Sequence, residues 1–208
     1  MLHFFTPLCL MVLSFTLAQD GFLYDPSPPA DAAFIRVIHA NPTTDAERVS
    51  IGETRFDELS FSEESPYRVI LEGTTSITMS SAEQDFTVEA GNFYTVALTQ
   101  NGIKVIEDTV NENRAKALLT LYNLSDIPTV DLKTADGATD VILGVMPMSE
   151  NSIEVNGISV ALGVFSEGEA LQLFDEVKLE RGAAYSAFVM GSADSPTVIW
   201  VQSETSTE

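Results

Sequence analysis

Cysteine and histidine are nearly missing from this chain, and their scarcity removes most of the usual catalytic and metal chemistry. Among 208 residues there is one cysteine, Cys9, and there are two histidines, His3 and His39. Cys9 and His3 both fall in the opening stretch MLHFFTPLCLMVLSFTLA, which has no Asp, Glu, Lys or Arg and an apolar run from Leu8 to Leu17. That run is shorter than the roughly 20 residues a membrane span needs, and it ends at a small residue, Ala18. Residues 1–18 therefore read as a secretory signal cleaved after Ala18, although the positive n-region is weak. Thr6-Pro7-Leu8 before Cys9 is not a lipoprotein box. The exported chain would begin at Gln19 with no disulfide, no thiol nucleophile and no thiolate metal site.

Positive charge is the second scarcity. Ten Lys and Arg stand against 31 Asp and Glu, for a net charge of −21. Bulk electrostatics then exclude binding to nucleic acid or to an anionic membrane surface. Acidity of this kind serves solubility first, with a basic partner as the sharper reading.

With His3 in the signal, a Ser-His-Asp mechanism would have to be built on His39 alone. There is no Gly-x-Ser-x-Gly elbow, and no Gly-Asp-Ser block with a downstream Asp-x-x-His of the SGNH hydrolase type. His39 ends an apolar strand, where a hydrogen-bonding structural role is expected before a catalytic one. The chain is read as not an enzyme, with a cryptic acetyl esterase or transferase using His39 as the alternative to test. Zinc lacks ligands. Calcium stays open at Asp126, Asp131, Asp136 and Asp140, which crowd one hairpin region without EF-hand spacing, and ordinary acidic turns are the simpler reading. Asn123-Leu124-Ser125 is a glycosylation sequon. No phosphate loop or dinucleotide fingerprint occurs, so no cofactor is expected.

What the chain does have is apolar content, 45% of residues, arranged with period two. Tyr67, Val69 and Leu71 alternate with Arg68, Ile70 and Glu72. The same pattern returns at Ile77 and Met79, Val130 and Leu132, and Val177 and Leu179. Asn101-Gly102, Asn156-Gly157 and Asp136-Gly137 are hairpin signals between such runs. The pattern is also written twice. AFIRVIH (33–39) aligns with ALLTLYN (117–123), and FTVEAGNFYTVAL (86–98) aligns with VKLERGAAYSAFV (177–189), placing Tyr94 and Tyr185 at equivalent, structural positions.

The expected fold is all-β: two tandem antiparallel β-sandwich (Ig-like) domains joined by a short linker. The divisions are a Pro-rich lead-in at 19–32, domain 1 at 33–109, a linker at 110–116, domain 2 at 117–203 and a disordered tail at 204–208. A single larger sandwich is the alternative.

The stretch from Leu23 to Ala40, LYDPSPPADAAFIRVIHA, carries a resemblance. Pro26, Pro28 and Pro29 favour an extended lead-in, which runs into the Phe34–Ile38 strand. This lead-in, the Pro-Pro pair and the Phe-Ile-Arg-Val strand, followed by an acidic all-β tandem, resemble the AlgF family of periplasmic alginate O-acetylation accessory proteins. The likeness extends over essentially the whole exported chain. Arg36 to Ala40 also resembles the Arg-Val-x-His-Ala opening of a broader exported β-sandwich family.

The AlgF resemblance implies a bacterial periplasmic protein needed for acetylating mannuronate residues. It would work beside a membrane acetyl carrier and SGNH-type acetyltransferases. The missing catalytic set fits a non-catalytic adaptor, and a −21 protein gains nothing by Coulomb attraction from polyanionic alginate. An exported carbohydrate-binding or adhesion module is the second reading. Partner docking is assigned to Tyr24, Asp25, Asp31, Arg36 and His39, with Tyr24 as an aromatic anchor and Arg36 pointing outward. A lead-in that folds back over the first sandwich edge is the alternative.

Overall fold

The computed structural model describes residues 28–80 and 82–205; the leader, Tyr24 and Asp25 lie outside the described residues. Runs of β-branched and aromatic residues, unsuited to helices but well suited to a pleated half-buried surface, set up strands throughout. The first half contains β1 (Ala32–His39), β2 (Ala46–Glu47), β3 (Ser50–Ile51), β4 (Thr54–Arg55), β5 (Leu59–Ser60), β6 (Arg68–Leu71), β7 (Gly73–Thr78), β8 (Glu83–Val88), β9 (Phe93–Thr99) and β10 (Gly102–Asp108). The second half contains β11 (Lys116–Asn123), β12 (Val130–Thr134), β13 (Asp140–Val145), β14 (Ser149–Asn156), β15 (Ser159–Ser166), β16 (Glu169–Lys178), β17 (Ala184–Ser192) and β18 (Ser195–Gln202). No helix occurs among the described residues, and the fold is the all-β tandem that the period-two patterning predicts.

Each half pairs two sheets. The first has β10-β9-β1-β6 against β4-β3-β7-β8, with β2-β5 as a short ribbon, and the second has β14-β11-β17-β18 against β13-β12-β15-β16. Pairings are antiparallel except β1 with β9 and β11 with β17, which run parallel at equivalent places.

The two copies match bond for bond where the sequence repeats. Gly91 N–H donates to Ala32 C=O and Gly182 N–H to Lys116 C=O, both at 2.8 Å, and Phe34 N–H to Asn92 C=O (2.9 Å) parallels Leu118 N–H to Ala183 C=O (3.0 Å). The Tyr94 hydroxyl accepts the Glu89 N–H at 3.1 Å, as the Tyr185 hydroxyl accepts the Glu180 N–H at 3.0 Å. Both turns need glycine, because Gly91 and Gly182 have φ of 83° and 80°, where a side chain is strained.

The sheets do not stop at two per half. β10-β9-β1-β6 and β14-β11-β17-β18 face each other, so both are covered on two sides. In β1, Ala33, Ile35 and Val37 enter the first core, while Ile38 and the following Ala40 enter a third cluster shared with Ala97, Ile106, Tyr122, Leu124, Phe188 and Met190. In β11, Leu119 and Leu121 enter the second core while Tyr122 joins the shared cluster. These central strands therefore read as nearly continuous buried runs and not as alternation.

Two local expectations change. Asn101-Gly102 and Asp136-Gly137 do close hairpins, β9–β10 and β12–β13. Asn156-Gly157 does not: β14 pairs with β11, whereas β15 pairs with β12 and β16, so the chain switches sheets there. The tail after Gln202 continues alongside the first half, with Tyr67 N–H donating to Glu204 C=O at 2.8 Å and Tyr67 bridging Thr205.

Tyr94→Phe and Tyr185→Phe should each lose about 1 kcal/mol, the worth of one corner hydrogen bond. The double variant should lose the sum, since the corners sit in different cores. Urea titrations of the three variants measure this.

Candidate functional site: a buried polar seam between the halves

The predicted docking residues separate. Asp31 is exposed in the turn before β1, where its carbonyl accepts the Glu72 N–H at 2.8 Å. Arg36 does not point outward. It is 1% exposed, because its face of β1 is covered by the second half and not by water. His39 is 0% exposed, so neither it nor Arg36 presents a surface to a partner.

Arg36 instead centres a polar network in the seam. Its Nε donates to Thr95 Oγ1 at 2.8 Å, and Nη2 donates to Tyr122 OH and Ser186 Oγ, both at 3.0 Å. Nη1 makes a longer contact, 3.3 Å, to Ser203 Oγ. Asp108, at the end of β10, accepts from Tyr67 OH (2.8 Å) and Thr95 Oγ1 (2.7 Å) on Oδ2, and from Tyr122 OH (2.7 Å) on Oδ1.

The hydroxyls of Thr95 and Tyr122 thus stand between cation and anion, each accepting from one and donating to the other. Charge-assisted bonds of this kind are the strong ones, and they satisfy groups that burial would otherwise leave costly. The guanidinium also lies over Tyr67, Phe188 and Tyr122, 4.7, 4.9 and 5.5 Å from their ring centres. Burial opposes the charge, but the Tyr122, Tyr67 and Asp108 oxygens outweigh it and hold the pKa of Arg36 above its ordinary value. Burial, reinforced by Asp108, raises both tyrosines.

Tyr67 stands in the sequence only as one position of an alternating run and Tyr122 only within the repeated ALLTLYN, and neither Asp108 nor Thr95 is singled out there. Their one trace in the sequence is polarity inside apolar runs: Arg36 within FIRVI, Thr120 and Tyr122 within LLTLY, and Asp108 closing KVIED.

Two further titratable groups border the seam. Burial pushes Glu64 up to about 7, with Arg36 pulling it down and Glu204 adding repulsion, and its Oε2 has no hydrogen-bond partner. Burial lowers His39, whose two ring nitrogens both lack partners and whose ring sits edge-on to Phe61 at 6.4 Å.

The aspartates of the second half are each engaged locally. Asp131 accepts Gly144 N–H (2.8 Å) and pairs with Lys133, Asp140 pairs with Lys133 (3.0 Å), Asp136 caps its own turn through Ala138 N–H (3.0 Å), and Asp126 accepts Ala193 N–H (2.9 Å). Among the described residues, no three His, Cys, Asp or Glu side chains gather as a metal cluster. Asn123 is 0% exposed, and its amide donates to the Ile127 and Val145 carbonyls, so the sequon is closed to a glycan.

At one end of the seam the network borders a cavity of about 250 Å³. Phe93, Val110 and Leu118 make apolar wall, and Arg36, Ser186 and Ser203 make polar floor.

Fold and site together define a tandem β-sandwich protein whose buried polar cluster is occupied with its own side chains. The family described as "Alginate O-acetyl transferase AlgF" matches residues 8–186, and the chain belongs to the AlgF family. The alginate biosynthesis protein AlgF of Pseudomonas fluorescens is 30% identical over 191 residues, 91% of this chain and 87% of that protein. Its namesake in Pseudomonas aeruginosa is 29% identical over 187 residues, 89% of this chain and 85% of that protein. The solved C-terminal domain of AlgF from P. aeruginosa is 36% identical, with a TM-score of 0.39, over 42% of this chain and 98% of that domain.

Arg36→Ala leaves Asp108 without its cation and should cost about 3–5 kcal/mol. Arg36→Lys should recover little, since an ammonium cannot reach Thr95, Tyr122 and Ser186 at once. Chemical denaturation checks both. Glu64 adds a pH dependence. Its unfolded carboxyl ionises near 4.5 and its folded one near 7, so the folded state binds the extra proton between them and stability falls as pH rises through that window. Melting of Glu64→Gln against the parent should show a gap in favour of the variant that opens between pH 4.5 and 7 and is constant above.

Proposed function

We propose that the protein is a non-catalytic periplasmic accessory of alginate O-acetylation that docks the proteins carrying and transferring acetyl groups. Membership of the AlgF family across residues 8–186 is the observation that carries this reading. The relatives bear the name alginate biosynthesis protein. The family description says transferase, but the site geometry favours an accessory. His39 is fully enclosed, and neither ring nitrogen contacts a nucleophile among the described residues. A general base must reach the proton it abstracts. The seam hydroxyls of Thr95 and Tyr122 are held between Arg36 and Asp108, which leaves them positioned for structure and not for attack. Protein partners suit the −21 charge better than a polyanionic polymer does.

A strain lacking the chain should secrete alginate with less acetyl per uronate, restored by the parent and by His39→Ala alleles that fold. The purified protein should turn over acetyl esters no faster than buffer. Enzyme-like turnover that disappears in His39→Ala would replace the accessory reading with a catalytic one, and full acetylation without the chain would remove it from the process.

A further inference from the structure

We propose that the seam cavity binds a small hydroxycarboxylate, with Arg36, Ser186 and Ser203 holding its carboxylate and Asn111 its hydroxyl. The unspent hydrogen bonds of the lining select that chemistry.

Arg36 is 1% exposed, yet among the described residues no carboxylate lies within ion-pair distance of it. A guanidinium carries five N–H groups. Four are used: Nε on Thr95, the two of Nη2 on Tyr122 and Ser186, and one of Nη1, at 3.3 Å, on Ser203. The second Nη1 hydrogen has no acceptor among the described residues. Asp108, which balances the charge of Arg36, also lines the cavity, but both its oxygens are taken by the hydroxyls of Tyr67, Thr95 and Tyr122.

Ser186 Oγ and Ser203 Oγ accept from Arg36, and neither hydroxyl donates to any described group. Each therefore keeps its own O–H. Arg36, Ser186 and Ser203 all line the cavity, so three unspent donors, one of them on a buried cation, gather on its floor. Such a floor suits a carboxylate, which only accepts, offers about four lone-pair sites and makes the stronger, charge-assisted bonds. The net charge of −21 disfavours anions at long range. That field is screened beyond about 8 Å at physiological salt, whereas the guanidinium acts at contact.

The lining also holds one unspent acceptor. Asn111 donates from Nδ2 to the Lys116 and Ala183 carbonyls at 3.3 and 3.1 Å, which fixes which end of the amide is oxygen, and its buried Oδ1 has no donor. A buried acceptor left unpaired is costly, and a ligand hydroxyl satisfies it. Phe93, Leu118 and the 43% exposed Val110 supply apolar wall for the carbon skeleton. At about 250 Å³ the space exceeds the roughly 150 Å³ that accommodates benzene and falls below the range of drug-sized ligands.

The test is titration of the exported full chain with sodium lactate, at ionic strength held constant with sodium chloride and followed by amide NMR. Signals of Val110, Leu118 and Ala183 should shift saturably, while that of Leu143, on β13 in the sheet remote from the seam, should stay. Lactamide has the same shape without the charge. It should bind at least about tenfold more weakly, the worth of a charge-assisted hydrogen bond. Propionate lacks the hydroxyl and should bind about fivefold more weakly, the worth of the bond to Asn111. Ser203→Ala leaves the three shorter bonds of Arg36 in place and should weaken lactate by a similar factor, with the Leu143 signal showing that the fold is kept. No saturable shift with lactate in the parent chain would overturn the inference, leaving the cavity to water. Lactamide binding as tightly as lactate would overturn the carboxylate, and propionate binding as tightly would overturn the role given to Asn111. Undiminished lactate binding by folded Ser203→Ala would place the ligand elsewhere and overturn the site. Every arm reads binding and not acetylation, so its outcome is separate from that of the accessory reading.

Discussion

A guanidinium buried to 1% exposure is the constraint around which the rest of the molecule is arranged. Arg36 cannot shed its charge, so every neighbour must compensate it. The compensation comes from both halves: Thr95 and Asp108 from the first, Tyr122, Ser186 and Ser203 from the second. Because Asp108 is reached through hydroxyls and not directly, a shift of either sheet breaks several bonds at once. An apolar cluster of Ile38, Ala97, Ile106, Leu124, Phe188 and Met190 surrounds the polar one and keeps water from taking over its hydrogen bonds.

Duplication explains the architecture. Two copies of one sandwich, each with a parallel first-to-late strand pair, a glycine turn and a corner tyrosine, present equivalent sheets to one another. Equivalent positions then diverge. Arg36 aligns with Thr120 and Ile38 with Tyr122, so one copy provides the cation and the other the hydroxyl it needs. His39 aligns with Asn123, which is fully hydrogen-bonded where His39 is not. The seam is therefore asymmetric although its two sides share an origin, and the C-terminal residues Glu204 and Thr205 cross it to lie along Tyr67.

Much of this was legible in the chain itself. Period-two patterning, two of the three turn dipeptides and the repeated Glu-x-Gly-x-x-Tyr each encode local structure, and local structure followed. What failed was anything that depended on which sheet meets which. Asn156-Gly157 carries hairpin chemistry, but the strand before it is claimed by β11 and the strand after it by β12 and β16, so pairing elsewhere overrode the turn. Arg36 looked like a solvent-facing residue because alternation puts it opposite Ile35 and Val37. Alternation cannot say whether the opposite face meets water or a second sheet. The hint in the sequence was that ALLTLYN carries large apolar residues on both faces, Leu119 and Leu121 on one and Leu118 and Tyr122 on the other, and the structure buries Leu118 to Asn123 at every position.

The most direct test of the seam as the joint that makes two sandwiches one folding unit is coincidence of unfolding. Trp200, the sole tryptophan, packs against the core of the second half and reports on it alone. Far-UV circular dichroism reports on both halves. In urea, the two probes should give superimposable transitions for the parent chain, and separate ones for Arg36→Ala as the halves uncouple. Separate transitions in the parent, or superimposable ones in Arg36→Ala with no loss of stability, would contradict the account.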